Sequence, residues 1–193
     1  MSNSPDGPDQ VRRKRAIYDQ ARAMRQPADL AGKLATDRFS ASVFATVLED
    51  RKQARSYGLR GLRYFLESAR RWSSSGSLPD PNSWSDDELE PALIEMFERM
   101  AKPGGGGAGL TSRIPEGSPE AIVRSRTSGS GTARDTIEFV EGLQDAGVDE
   151  VYFLVNLGGV PDEIALESLV QIGRNVIPHF HRSRQRTVVG IDS

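Results

Sequence analysis

Val151-Tyr152-Phe153-Leu154-Val155-Asn156-Leu157-Gly158-Gly159-Val160-Pro161 is the stretch on which the fold turns. Its first five residues are β-branched, aromatic or aliphatic and uncharged, the composition of a strand covered on both faces. Asn156-Leu157-Gly158-Gly159 then reads as a glycine-rich turn. Pro161 opens a helix, because its missing amide hydrogen would be unpaired in a first turn anyway, and Asp162 and Glu163 favour the positive end. Ala165, Leu169, Ile172 and Val176 make one apolar stripe, with Leu166, Val170 and Ile177 beside them, and Pro178 is expected to close the helix. Upstream, Thr132 is an N-cap with Asp135 three positions on, and Thr136, Val140 and Leu143 follow at helical spacing. Gly147 ends that helix by taking the left-handed conformation. Residues 131–180 therefore form one helix–strand–turn–helix unit. Right-handed connection puts helices 133–146 and 162–177 on the same face of the strand, which predicts Val151, Phe153 and Val155 open on the other.

A second unit of the same kind precedes it. Phe39-Ser40-Ala41-Ser42-Val43-Phe44-Ala45-Thr46-Val47-Leu48 reads as a strand, and Glu49-Asp50 begins a long helix. Its apolar positions are Ala54, Gly58, Leu62, Phe65/Leu66, Ala69 and Trp72, with arginines on the other face. Residues 73–85 are a loop by composition. Residues 86–100 make a short helix with Leu89, Leu93, Met96/Phe97 and Met100 inward and an acidic start. At the amino end, 1–10 is polar and reads as a disordered tail, and 11–24 as a helix with Ile17, Tyr18 and Ala21 buried. Residues 101–131, with the run Gly104-Gly105-Gly106-Gly107, read as a flexible linker, and 181–193 as a tail. Gly104, Gly106 and Gly109 match a dinucleotide-binding spacing, but that motif needs a strand before it and a helix after it.

The composition narrows the chemistry. The 193 residues contain no cysteine, so thiolate nucleophiles, disulfides and cysteine-held metals are excluded. The net charge of −2 is unevenly spread: residues 1–72 carry 15 Lys+Arg against 8 Asp+Glu, the remainder 10 against 19. Arg12-Arg13-Lys14-Arg15 lacks the aromatic platform or recognition helix of a nucleic-acid binder and reads as a solvated helix end. No apolar run is long enough for a membrane span, and no signal peptide is visible, which points to the cytoplasm. His179 and His181 follow a helix-ending proline and do not make a metal pair. No serine occupies a Gly-x-Ser-x-Gly elbow. Asp86, Asp87, Glu88 and Glu90 cluster at one helix start, as capping charges do. Asn156, Gly158 and Gly159 remain, and they read equally as a wall for a flat or phosphorylated ligand and as a plain turn into the next helix.

Gly-Thr-Ala-Arg-Asp-Thr-Ile-Glu (131–138), Asp-Ala-Gly-Val-Asp-Glu-Val (145–151), Asn-Leu-Gly-Gly-Val-Pro (156–161), Ala-Leu-Glu-Ser-Leu (165–169) and Val-Ile-Pro-His-Phe (176–180) resemble, in that order, the carboxyl end of flavin-dependent luciferase-like monooxygenases. A weaker resemblance covers 37–72. It implies the last βα units of a (β/α)8 TIM barrel over 11–180, an α/β fold that is helix-rich and partial, since a whole barrel takes about 250 residues. It also implies a monooxygenase using reduced FMN or a deazaflavin with O2 on a small organic substrate, and inactive without the amino-terminal half. Asn156, Gly158 and Gly159 then lie beside the flavin. The partners implied are a flavin reductase and an amino-terminal barrel half; uncovered strand edges add the expectation of a homo-oligomer or hetero-complex. The reading from a different class is a non-catalytic truncated relative serving as an interaction or scaffold subunit.

Overall fold

Proline in the first turn starts helix α1 (Pro8–Ala23) in the computed structural model, which describes residues 7–26, 38–72, 77–102 and 117–181. Residues 8–10, expected in a disordered tail, are thus helical, whereas residues 1–6 and 182–193 lie outside the described residues. The inward face of α1 runs through Val11, Arg15 and Tyr18, whose ring lies 5.5 Å from that of Phe39. Ile17 and Ala21, expected to be buried, are exposed.

Strand β1 (Ser40–Phe44) pairs in parallel with β2 (Glu150–Leu154), in a register running from Ser40 opposite Glu150 to Phe44 opposite Leu154. Beyond β1 the chain stays paired on its other side. The Gly131 amide donates to the Thr46 carbonyl (3.0 Å) and the Leu48 amide to the Gly131 carbonyl (3.1 Å). Side chains alternate across a strand, so each face collects its own core. Ala41, Val43, Ala45 and Val47, with Val151, Phe153 and Val155, pack against Val11 of α1, Leu143 of α5 (Ala133–Asp145) and Ile172 and Val176 beyond α6 (Asp162–Gln171). Phe44 points the other way. It joins Leu59, Leu62 and Leu66 of α2 (Arg51–Trp72), Leu89, Leu93 and Phe97 of α3 (Asp86–Ala101), and Ile122 and Val123 of α4 (Pro119–Thr127). Burial of each of these large apolar side chains contributes roughly 1.5–3 kcal/mol.

This arrangement corrects the barrel expectation. Among the described residues there is one sheet of two parallel strands in a helix-rich chain, and no (β/α)8 TIM-barrel strand set. In a barrel the inner face of each strand packs against side chains from other strands. Here the face of Phe44 is packed by helices instead, with the Phe65 ring of α2 5.7 Å from Phe44. The strand faces are also reversed from expectation. Val151, Phe153 and Val155 pack into the core, while Tyr152 and Leu154 stand 43% and 42% exposed. Helices α5 and α6 share a face, as handedness requires, but it is the face of the odd-numbered residues.

Capping followed the sequence closely. Thr132 and Asp135 form a reciprocal capping box, Ser85 and Glu88 form another, and Gly147 leaves α5 with φ 91°. Elsewhere three expectations fail. Trp72 ends α2 exposed, and Pro119–Thr127 forms α4 within the stretch read as linker. Ile122 and Val123 anchor α4 between α2 and α3. Residues 103–116, with the glycine run, lie outside the described residues. Pro178 does not end the last helix. A π turn over Ile172–Val176, in which the Ile177 amide donates to the Ile172 carbonyl, precedes it, and the helix runs on through 177–181. A proline collides with the carbonyl four residues back in a regular α-helix, and the wider turn displaces that carbonyl.

Candidate functional site

The carboxyl ends of both strands and the middle of α2, through Gly61 and Tyr64, meet at the Asn156–Gly159 turn. Asn156 holds the turn itself, its side-chain carbonyl accepting from the Gly158 amide at 2.8 Å. Gly158 and Gly159 have φ of 82° and 68°, the left-handed region, and both are pressed against α2 and the loop that follows it. A Cβ on Gly158 would lie 2.3 Å from the Tyr64 ring, and one on Gly159 2.9 Å from Pro81. Both glycines are therefore required by the backbone and by packing.

Below the turn lies a polar cleft of about 460 Å³, walled by Gly159 and Pro161, by Lys52, Ser56, Tyr57 and Arg60 of α2, and by Asn82, Trp84 and Asp86. Gly159 reaches this cleft, whereas Asn156 and Gly158 are not on its wall. Arg60 fixes the cleft's far side. Its guanidinium donates to the carbonyls of Pro81 and Trp84 (3.1 Å for the latter) and to Asp86 (2.9 Å), tying the short 3-10 turn Pro81–Ser83 to α2. The Ser56 hydroxyl donates to Asp86 at 2.6 Å. That hydroxyl and the Arg60 guanidinium hold the Asp86 carboxyl below its usual range, against a smaller opposing push from desolvation, so Asp86 is a carboxylate near neutral pH. Asp50 is occupied as the cap of α2, accepting from the amides of Lys52 (2.8 Å) and Gln53 (3.0 Å). The Lys52 ammonium forms no hydrogen bond or ion pair among the described residues and acts on Asp86 through space. The cleft thus offers one uncommitted cation, two aromatic rings and a close-set backbone turn.

Lys52, Arg60 and Trp84 were not singled out by sequence. Lys52 and Arg60 sit among the polar positions of an amphipathic helix, and Trp84 in a loop, and no spacing marks them as one site; the contact that joins them is the Arg60 clamp. The remaining candidates resolve simply. Asp86 and Glu88 lie at the start of α3, Glu88 in its capping box. His179 meets Glu141 of α5 at 2.8 Å rather than His181. Among the described residues no group of three or more His, Asp or Glu is placed to hold a metal ion, and no helix is long and apolar enough to cross a membrane.

A larger cleft, about 620 Å³, flanks the outer edge of β2 at its amino-terminal half, between α1, α5 and the last helical turns. It is lined by Val151, Phe153, Val176, Ile177 and Phe180 together with Arg15. Arg15 is engaged with Asp19 (2.9 Å), Asp149 (3.1 Å) and the Gly147 carbonyl (2.7 Å). This cleft borders β2, whose outer edge pairs with no strand among the described residues. The sequence matches no protein-family model and no curated protein.

Proposed function

We propose that this chain is the carboxyl-terminal portion of a luciferase-like flavin-dependent monooxygenase and that the cleft under the Gly158–Gly159 turn receives part of a reduced flavin. The observation that carries the reading is the convergence, at the carboxyl ends of two parallel strands, of the turn bearing the resemblance with Lys52, Tyr57 and Trp84. Ligands of parallel α/β units gather at that end of the strands. The residues suit the cofactor: Tyr57 lines the cleft with an aromatic ring and Trp84 with a second, one face of which is covered by the Arg63 guanidinium at 4.1 Å, Lys52 offers a charge for a phosphate, and the volume is in the range of small-molecule sites. FMN and a deazaflavin share both features. Reduced flavin, when bound, supplies the two electrons that let O2 deliver one oxygen atom to an organic substrate and the other to water. The protein's part is to hold the ring and exclude solvent; no residue of the cleft is assigned as a base. A reductase and an amino-terminal portion are the proposed partners, and the cytoplasm the proposed setting.

Titration of the chain with reduced and oxidised FMN, followed by flavin fluorescence and absorbance, tests the reading. Micromolar binding that weakens about tenfold in Lys52→Ala supports it, in line with loss of one charge-assisted contact. No binding at ~100 µM FMN, alone or with candidate amino-terminal portions, overturns it. A second reading, an interaction subunit without catalysis, is favoured by the exposed Tyr152 and Leu154 and by an edge of β2 that pairs with no strand among the described residues. It predicts no flavin binding and retained assembly.

A further inference from the structure

The last helix carries an apolar stripe that nothing among the described residues covers. Leu166, Leu169, Val170 and Ile177 are 63, 53, 46 and 43% exposed. Gly173 lies among them with open space where a Cβ would stand. The opposite side of the same helix is buried through Ser168, Ile172 and Val176, with the Ser168 hydroxyl accepting from the Val47 amide at 3.0 Å. The stripe is therefore fixed in orientation and faces outward. Helical steps of about 100°, shortened through the π turn, keep all five positions within one third of the circumference.

Acidic and basic side chains beside the stripe are sorted along it. The carboxylates of Asp162, Glu163 and Glu167 flank its first half, and the guanidinium of Arg174 and the imidazole of His181 its second. Asp162, Glu163, Glu167 and Arg174 have no side-chain hydrogen bond or ion pair among the described residues. We infer that this face docks on a second copy of itself, helix against helix and antiparallel, about a two-fold axis passing between Gln171 and Ile172. In that register Leu166 meets Ile177 of the second copy, and Val170 fills the space over its Gly173. Arg174 comes alongside Glu167 of the second copy, and Asp162 opposite its His181. A parallel pairing would set acid against acid and base against base, so the charge order selects the antiparallel one. Leu166 with Ile177, Val170 with Gly173 and Asp162 with His181 exchange under one axis, with Arg174 next to Glu167 rather than directly opposite it, the pattern of an isologous contact. The helix from 162 to 181 is about 30 Å long, which puts the contact near the low end of stable interfaces, about 1,200 Å² or less. The contact is independent of whether flavin binds.

Sedimentation equilibrium on the full chain tests this, with far-UV circular dichroism to confirm that each variant is folded. A monomer–dimer equilibrium with Kd on the order of 10 µM is expected, weakening as salt is raised. Leu166→Glu should weaken dimerisation at least about tenfold. Arg174→Glu, a substitution at an exposed side chain, should weaken it several-fold, and adding Glu167→Arg to that variant should restore it. A chain that stays monomeric at ~300 µM overturns the proposal, even if the same face captures some other protein. A dimer indifferent to Leu166→Glu, or a double charge exchange no better than the single one, overturns it equally.

Discussion

The two strands of the sheet are opposites. β1, Ser-Ala-Ser-Val-Phe, has only two large apolar side chains, yet four of its five residues are buried. β2, Glu-Val-Tyr-Phe-Leu, is richer in large apolar side chains, yet none of its five residues is buried. Position explains the inversion. β1 is bonded to β2 along one edge, its extension is bonded to Gly131 along the other, and helices lie on both its faces. β2 has a helical layer against its odd-numbered residues and an open outer edge beside the larger cleft. Serine and alanine suit β1 because closely packed backbones leave little room: a Cβ on Gly129 would already lie 2.4 Å from the Phe44 carbonyl oxygen. Apolarity in a strand thus measures how much cover it could use, whereas burial measures how much the topology provides.

The contrast can be broken by substitution. Phe44→Ala should be the most damaging change, costing about 3–5 kcal/mol, because it empties the centre of the α2–α3–α4 core. Phe153→Ala removes the same side chain from a half-buried site and should cost about half as much, roughly 1.5–2.5 kcal/mol in urea unfolding. Equal losses would show that β2 is covered in solution as fully as β1.

Asp135 sharpens the comparison from the β1 side, since its carboxylate joins Thr132, at the start of α5, to Arg51, at the start of α2. Burial pushes this carboxyl up, but the Thr132 amide and hydroxyl and the Arg51 guanidinium outweigh it and hold it below the usual range. A depressed folded pKa stabilises the protein above the unfolded value, and that stability is lost as pH falls through the folded one. Asp135→Asn should therefore cost about 1 kcal/mol at neutral pH, mostly the capping bond because Arg51 is exposed, with the deficit shrinking below about pH 4. A deficit that persists at pH 2 would assign it to packing instead. Leu154→Lys should be the mildest, within about 0.5 kcal/mol, while raising solubility by charging an exposed face. A large loss there would mean that Leu154 is buried in an assembly.

Local grammar was legible in the sequence. Thr132 with Asp135, Gly147, Pro161, and the spacing of Leu89, Leu93 and Phe97 each act within one turn of their own helix, so residue order alone determines them. The two strands and the shared face of α5 and α6 were also legible, from composition and handedness. The face of β2 that meets those helices was not, because a strand apolar at every position has no alternation to reveal it. Neither was the second layer, whose decisive contacts join Phe44 to residues in α2, α3 and α4. The cleft was half legible. Gly159 was named from its turn, but Lys52, Arg60 and Trp84 reach it only through the fold of 50–86 back on itself, which the Arg60 clamp completes.

The π turn before Pro178 has a genetic meaning as well as a geometric one. A wide turn of this kind holds one residue more than the regular helix around it, so it behaves as a tolerated insertion. Removing one codon within 172–176 would let the hydrogen-bond ladder resume its usual period and swing everything after it by about 100°. His179 would turn away from Glu141, Phe180 would leave the wall beside β2, and Pro178 would again face a carbonyl four residues behind. The extra residue therefore acts as a phase marker, keeping residues 177–181 in step with the sheet.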